Sequence, residues 1–199
     1  MSDLIARKAG RPRDPSIDRK VLAAARDLLE ERGLDATTVQ AIAARSGVQT
    51  SAIYRRWSTR LDLIEEAVFP GPTNVQIEPT GDLRRDIRRF VRAYLTVFGA
   101  AASRAAIPSL LANYQSSGRT DLTKKWMAVS ARPQFADILR SAPPGTVDPG
   151  VDIDDAFDVL LGALLARALV PTVIERARPI ERLVDITLRM LRPAPSDQS

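Results

Sequence analysis

Apolar side chains recur at intervals of three and four along most of this chain, and no stretch alternates apolar with polar residues for long. The pattern predicts an all-α protein. A first helix opens at Asp14-Pro15, a side-chain acceptor followed by a residue whose missing N–H does no harm at the first helical position. Its inward stripe is Ile17, Val21, Leu22, Ala25, Leu28 and Leu29, and Gly33 supplies the left-handed residue that ends it. A second, short helix opens at Thr37, with Gln40 completing a capping box and Val39, Ile42 and Ala43 as its apolar face, and it stops at Ser46-Gly47. A third segment runs from Val48 to Trp57. Thr59 with Asp62 then caps a fourth helix carrying Leu63, Ile64, Ala67 and Val68.

Pro70, Gly71, Pro72 and Pro79 make residues 70–81 a connector. Beyond it, Leu83, Ile87, Phe90, Val91, Tyr94, Leu95 and Phe98 form one stripe at the helical period, with Arg84, Arg85, Arg88, Arg89 and Arg92 on the opposite face, expected to meet solvent. Further helices are expected over 104–116 and over 121–142, the latter broken before Pro133. Residues 143–150 read as a loop, and two closing helices follow over 152–170 and 179–191. The division expected is a small N-terminal unit over 1–62, including a basic arm over 1–14, a helical domain over 63–192 and a disordered tail over 193–199.

Composition narrows the chemistry. The 199 residues are enough to bury a core, and with no Cys and no His the chain lacks thiol chemistry, disulfides, the usual zinc ligands and any imidazole-based catalysis. No metal and no cofactor is expected. The N-terminus has no apolar core of a signal peptide, and no stretch approaches the roughly 18 apolar residues of a membrane span. The expectation is a cytoplasmic protein with no membrane partner. Residues 1–57 hold 11 Lys and Arg against 7 Asp and Glu, so +4 of the net +5 lies in the first part of the chain. One end is suited to a polyanion and the other to a different task.

Two short helices joined by a Gly-containing turn, with a longer helix before them, make a helix-turn-helix, in which the second short helix lies in the DNA major groove. Burying Val39, Ile42, Ala43, Val48 and Ile53 leaves Gln49, Thr50, Ser51, Tyr54 and Arg55 pointing outward. Such side chains hydrogen-bond base edges and phosphates, and no acid lies between Asp35 and Asp62 to repel them. In the arm, Gly10-Arg11-Pro12 is thin and extended, so Arg11 is a candidate for the minor groove.

The run GVQTSAIYRRW over 47–57, followed by Ser58-Thr59-Arg60 and Asp62-Leu63-Ile64, resembles the DNA-binding signature of the TetR/AcrR transcriptional regulators. The sequences GRPRD over 10–14, TTV over 37–39 and IAARSGV over 42–48 agree with it. The resemblance implies a TetR-like fold: an N-terminal three-helix helix-turn-helix domain and a C-terminal helical domain for ligand binding and dimerisation. It also implies phosphate contacts from Thr38, Tyr54 and Arg60 and base reading from Gln49, Thr50 and Ser51, with Arg55 beside them. Gln49 departs from the commoner Ser or Thr at its position, so its capping role is open.

The function expected is a homodimeric repressor on palindromic double-stranded DNA, released by an unknown small-molecule effector. Phe90, Tyr94, Phe98, Tyr114, Trp126 and Met127 are the candidate effector contacts. Phe157, Leu161, Leu164, Leu165 and Ala168, with Val184, Leu188 and Leu191, are the candidates for a bundle shared with a second subunit. A different class remains open: a helical protein that sequesters a small molecule without specific DNA binding. An enzyme built on Asp152, Asp154, Asp155 and Asp158 is disfavoured, because carboxylates there suit the first turn of a helix.

Overall fold

The computed structural model describes residues 14–69, 75–117, 131–171 and 178–193, the side chains of 115–117 excepted. Among these residues there are nine helices and no strand. Helix α1 (Pro15–Ala36) is capped by Asp14, whose carboxylate accepts from the Ser16 N–H at 2.9 Å. Gly33, at φ 73° and ψ −177°, interrupts it as expected, and a last turn continues to Ala36.

Helix α2 (Val39–Ser46) starts one residue later than the sequence pattern suggests. Its cap is Thr38, whose hydroxyl accepts from the Ala41 N–H at 3.1 Å, so no box with Gln40 forms. Thr37 is fully buried and spends its own hydroxyl closing the end of α1, donating to the Gly33 carbonyl at 2.7 Å. Gly47, left-handed at φ 68°, turns the chain into α3 (Thr50–Tyr54), which is shorter than the 48–57 segment expected. Arg56 and Trp57 instead form a turn, both of their N–H groups donating to the Ile53 carbonyl. Helix α4 (Arg60–Val68) has the full capping box, Thr59 and Asp62 exchanging two bonds of 3.0 Å.

Helices α5 (Leu83–Gly99) and α6 (Ala101–Ser117) meet at an 83° bend. Helix α7 (Arg132–Arg140), with Pro133 in its first turn, takes the C-terminal part of the helical stretch expected over 121–142. Helices α8 (Ile153–Leu169) and α9 (Pro179–Leu191) match the two closing helices. No single described helix is long and apolar enough to cross a membrane.

Three apolar clusters hold these elements. Val21, Ala25 and Leu28 of α1 pack with Val39 and Ile42 of α2, Ile53 of α3, Trp57, and Leu63 and Ala67 of α4. The other side of α4, Ile64 and Val68, packs with Leu29 of α1 and with Ala102, Ala106 and Leu110 of α6. Helix α4 therefore packs in both clusters, against α1 and α3 on one side and α6 on the other. The third cluster gathers α5, α7, α8 and α9 around Phe90, Phe135 and Phe157.

The arginine face of α5 is not simply solvated. Arg88 makes a bidentate pair with Glu181 of α9, both bonds 2.9 Å, and Arg84 reaches Asp185 at 2.6 Å. The Arg88 hydrogen bond holds the Glu181 carboxyl below its ordinary range. The acidic run at the start of α8 is equally occupied. Asp152 caps the helix, accepting from the N–H groups of Asp154 and Asp155, while Asp154 and Asp158 grip Arg132 of α7 at 2.8 and 2.6 Å. The Arg132 guanidinium also lies 4.6 Å from the Phe157 ring centroid, a cation–π contact that joins α7 to α8.

Candidate nucleic-acid interface

A five-residue helix has too few internal hydrogen bonds to stand alone, so α3 takes its orientation from what it is packed against. Ile53 is its buried anchor and Trp57, just beyond it, is the second. The Trp57 indole N–H donates to Glu66 of α4 at 2.7 Å, fixing the ring that forms the floor under α3. Helix α2 is tied to α1 by a bidentate pair, Arg45 to Glu31, with both bonds 2.6 Å, and the Arg45 hydrogen bond lowers the pKa of Glu31. From α1 the Arg26 guanidinium reaches the Ala67 carbonyl at the end of α4, 3.2 Å away.

With Ile53 inward, the opposite side of α3 is polar. Gln49, Ser51, Tyr54 and Arg55 are exposed, Tyr54 by 52%, and Thr50 is half-buried. Gln49 sits at the cap position with an extended backbone but makes no cap hydrogen bond through its side chain, which leaves its amide available to an outside partner. Thr38 is half-buried and its oxygen accepts from Ala41, so the hydroxyl proton is still free to donate. Arg60 is the first residue of α4, where the open N–H groups and the helix dipole favour an anion. Among the described residues none of the side chains of Gln49, Thr50, Ser51, Tyr54, Arg55 and Arg60 takes part in an intramolecular ion pair or hydrogen bond. Arg11 lies outside the described residues.

The other candidate residues divide. Phe90, Tyr94 and Phe98 stand side by side on α5, with ring centroids 4.6 and 5.8 Å apart, and all three are buried. Burial pushes the Tyr94 phenol up to about 12, so it stays a neutral donor at ordinary pH. Tyr114 is not part of this row; it packs on the cluster between α1, α4 and α6. Trp126 and Met127 lie outside the described residues.

The residues expected to face a second subunit lie mostly inside the protomer. Phe157, Leu164, Ala168, Val184, Leu188 and Leu191 are buried in the protomer's own core, and Leu161 and Leu165 are half-buried beside it. Besides charged residues, the positions that α8 and α9 turn outward include Val159, 58% exposed, Gly162, and Ile186, 53% exposed. The core takes the apolar stripe of each helix, and Ile186 stands on the charged outer face of α9 with Arg182 and Arg189. Two exposed branched residues four or fewer positions from a buried stripe were the available signal.

The chain is similar to known proteins along most of its length. Residues 21–67 match the family model described as bacterial regulatory proteins, tetR family, and residues 77–187 match that of the tetracyclin repressor-like C-terminal domain. An uncharacterized HTH-type transcriptional regulator of Mycobacterium tuberculosis is 28% identical over 193 residues, covering 93% of this chain and 94% of the relative. The uncharacterized HTH-type transcriptional regulator YdeS of Bacillus subtilis is 30% identical, covering 82% and 83%. Among solved structures, the TetR family transcription regulator SCO0332 is 25% identical and superposes with a TM-score of 0.66, covering 89% of this chain and all of that one. TylP, a TetR regulator from Streptomyces fradiae, shares the fold at 19% identity with a TM-score of 0.63, covering 92% of this chain and 89% of its own. The chain belongs to the TetR family and is a DNA-binding transcriptional regulator of the helix-turn-helix type.

Proposed function

We propose that this regulator is a cytoplasmic homodimeric repressor that binds a palindromic operator through α3 and is released by a small-molecule effector. The observation that carries the reading is the outward row of α3, polar, exposed and without intramolecular partners among the described residues, set on an apolar floor. Gln49, Thr50 and Ser51 read base edges, Gln49 being able to pair bidentately with an adenine, while Thr38, Tyr54 and Arg60 hold phosphates and Arg55 lies beside them. The effector would sit in the C-terminal unit against the aromatic row of α5, and its differential affinity for two spacings of the DNA-binding units would be the whole switch.

One short helix covers few base pairs, so a second subunit is needed for a specific site. The face we assign to it is the outward side of α8 and α9. There Val159, Gly162 and Ile186 are exposed, and Ile186 lines a groove of about 280 Å³ together with Arg167, Arg182, Asp185 and Arg189. Changing Val159→Glu and Ile186→Glu together places two charges on each side of the two-fold axis without touching the core. Sedimentation of that variant should show a monomer with unchanged helical circular dichroism and much weaker operator binding. A variant that remained dimeric would remove this face from the account.

A further inference from the structure

Two arginines follow α3 in sequence and meet different fates. The Arg55 side chain is exposed and makes no intramolecular bond among the described residues, whereas the Arg56 side chain is 11% exposed and turned back into the protein. Its Nε–H donates to Asp18 in the first turn of α1, and Nη1 donates to the Ala52 carbonyl of α3 at 3.2 Å. One planar guanidinium therefore grips the α3 backbone and the start of α1 at once, a task that suits its fixed fork of donors. The Asp18 side chain is 22% exposed, so the pair is only partly screened by water. At the other end of α3 no side-chain cap is made. Among the described residues the direction of this short helix thus rests on Ile53, Trp57 and this charged clamp.

We propose that the Asp18–Arg56 pair is a positioning device that aims α3 into the major groove, and that neither residue is needed for its charge toward DNA. The proposal goes beyond the base and phosphate contacts assigned above, since it concerns groups that touch only the protein. Its consequence is opposite to simple electrostatics. Asp18→Asn removes a negative charge from a DNA-binding unit, which by charge alone tightens binding to every duplex. If the pair aims the helix, that substitution instead weakens binding to the cognate duplex.

The experiment measures affinity for two probes: a cognate duplex chosen from random sequence by the unmodified protein, and a scrambled duplex of the same length. Asp18→Asn should lose about tenfold on the cognate duplex, the scale of coupling within one ion-pair network, with no loss on the scrambled one. Arg56→Lys keeps the charge but loses the fork and should do the same, and the double variant should be no worse than either single one. Asp18→Glu, which keeps the carboxylate, should recover most of the loss, and it guards against a variant that fails to fold. Unchanged or tighter cognate binding by Asp18→Asn would overturn the proposal. So would equal losses on both probes, or independent additive losses in the double variant.

Discussion

A variant carrying Tyr54→Phe and Arg60→Ala is expected to bind every duplex, cognate or scrambled, about 150-fold more weakly for each protomer engaged. The figure takes about 1.5 kcal/mol for each of the two charge-assisted hydrogen bonds to phosphate, one from the Tyr54 hydroxyl and one from the Arg60 guanidinium. Only the arginine displaces a counterion, so the slope of log affinity against log salt should become shallower by about 0.9 per protomer, and Tyr54→Phe alone should leave it unchanged. Stability should change by less than about 0.5 kcal/mol, because neither group has an intramolecular partner among the described residues. Fluorescence anisotropy titrations over a range of salt concentrations check all three statements. Losses confined to the cognate duplex would mean that these residues read sequence and not backbone.

The second large effect concerns stability. Phe135 of α7 is fully buried between Phe90 of α5, at 5.6 Å between centroids, and Phe157 of α8, at 5.9 Å. Phe135→Ala removes the ring shared by three helices and should cost about 3–5 kcal/mol, since the surrounding rings are held on separate helices and close only partly over the space. A domain of this size is stable by about 5–15 kcal/mol, so the melting temperature should fall by about 10 °C or more. Phe135→Leu, which keeps most of the volume, should cost less than about 1.5 kcal/mol. The cluster around Ile53 and Trp57 does not include Phe135, so the DNA-binding unit should keep its own packing. Scanning calorimetry measures the loss. A cost below 1 kcal/mol would show that the aromatic row is loosely packed and has room for an occupant.

Much of this architecture could be read from one dimension. Asp14-Pro15, Gly47, the Thr59–Asp62 box and the limits of α8 and α9 follow from local chemistry, where a cap or a left-handed residue acts within one turn. The errors arose where a choice depended on distant neighbours. Thr37 and Thr38 are equally good caps in sequence, and only the need to close α1 at Gly33 assigns the burial to the first. Arg56 looks like its neighbour Arg55 until Asp18, 38 positions away, claims it. The large apolar residues of α8 and α9 suit a core and a shared bundle equally along the sequence, and the protomer's own packing takes most of them. The arginines of α5 look solvated along the sequence, yet α9 brings Glu181 and Asp185 against two of them.

The central claim is that the row beginning at Gln49 reads bases. The direct test is to select bound duplexes from random DNA with the full chain, and again with Gln49→Ala. The account predicts one two-fold-related motif in both selections, with preference relaxed in the variant only at the positions facing residue 49. An identical motif from both proteins, or no enriched motif from the unmodified chain, would contradict it.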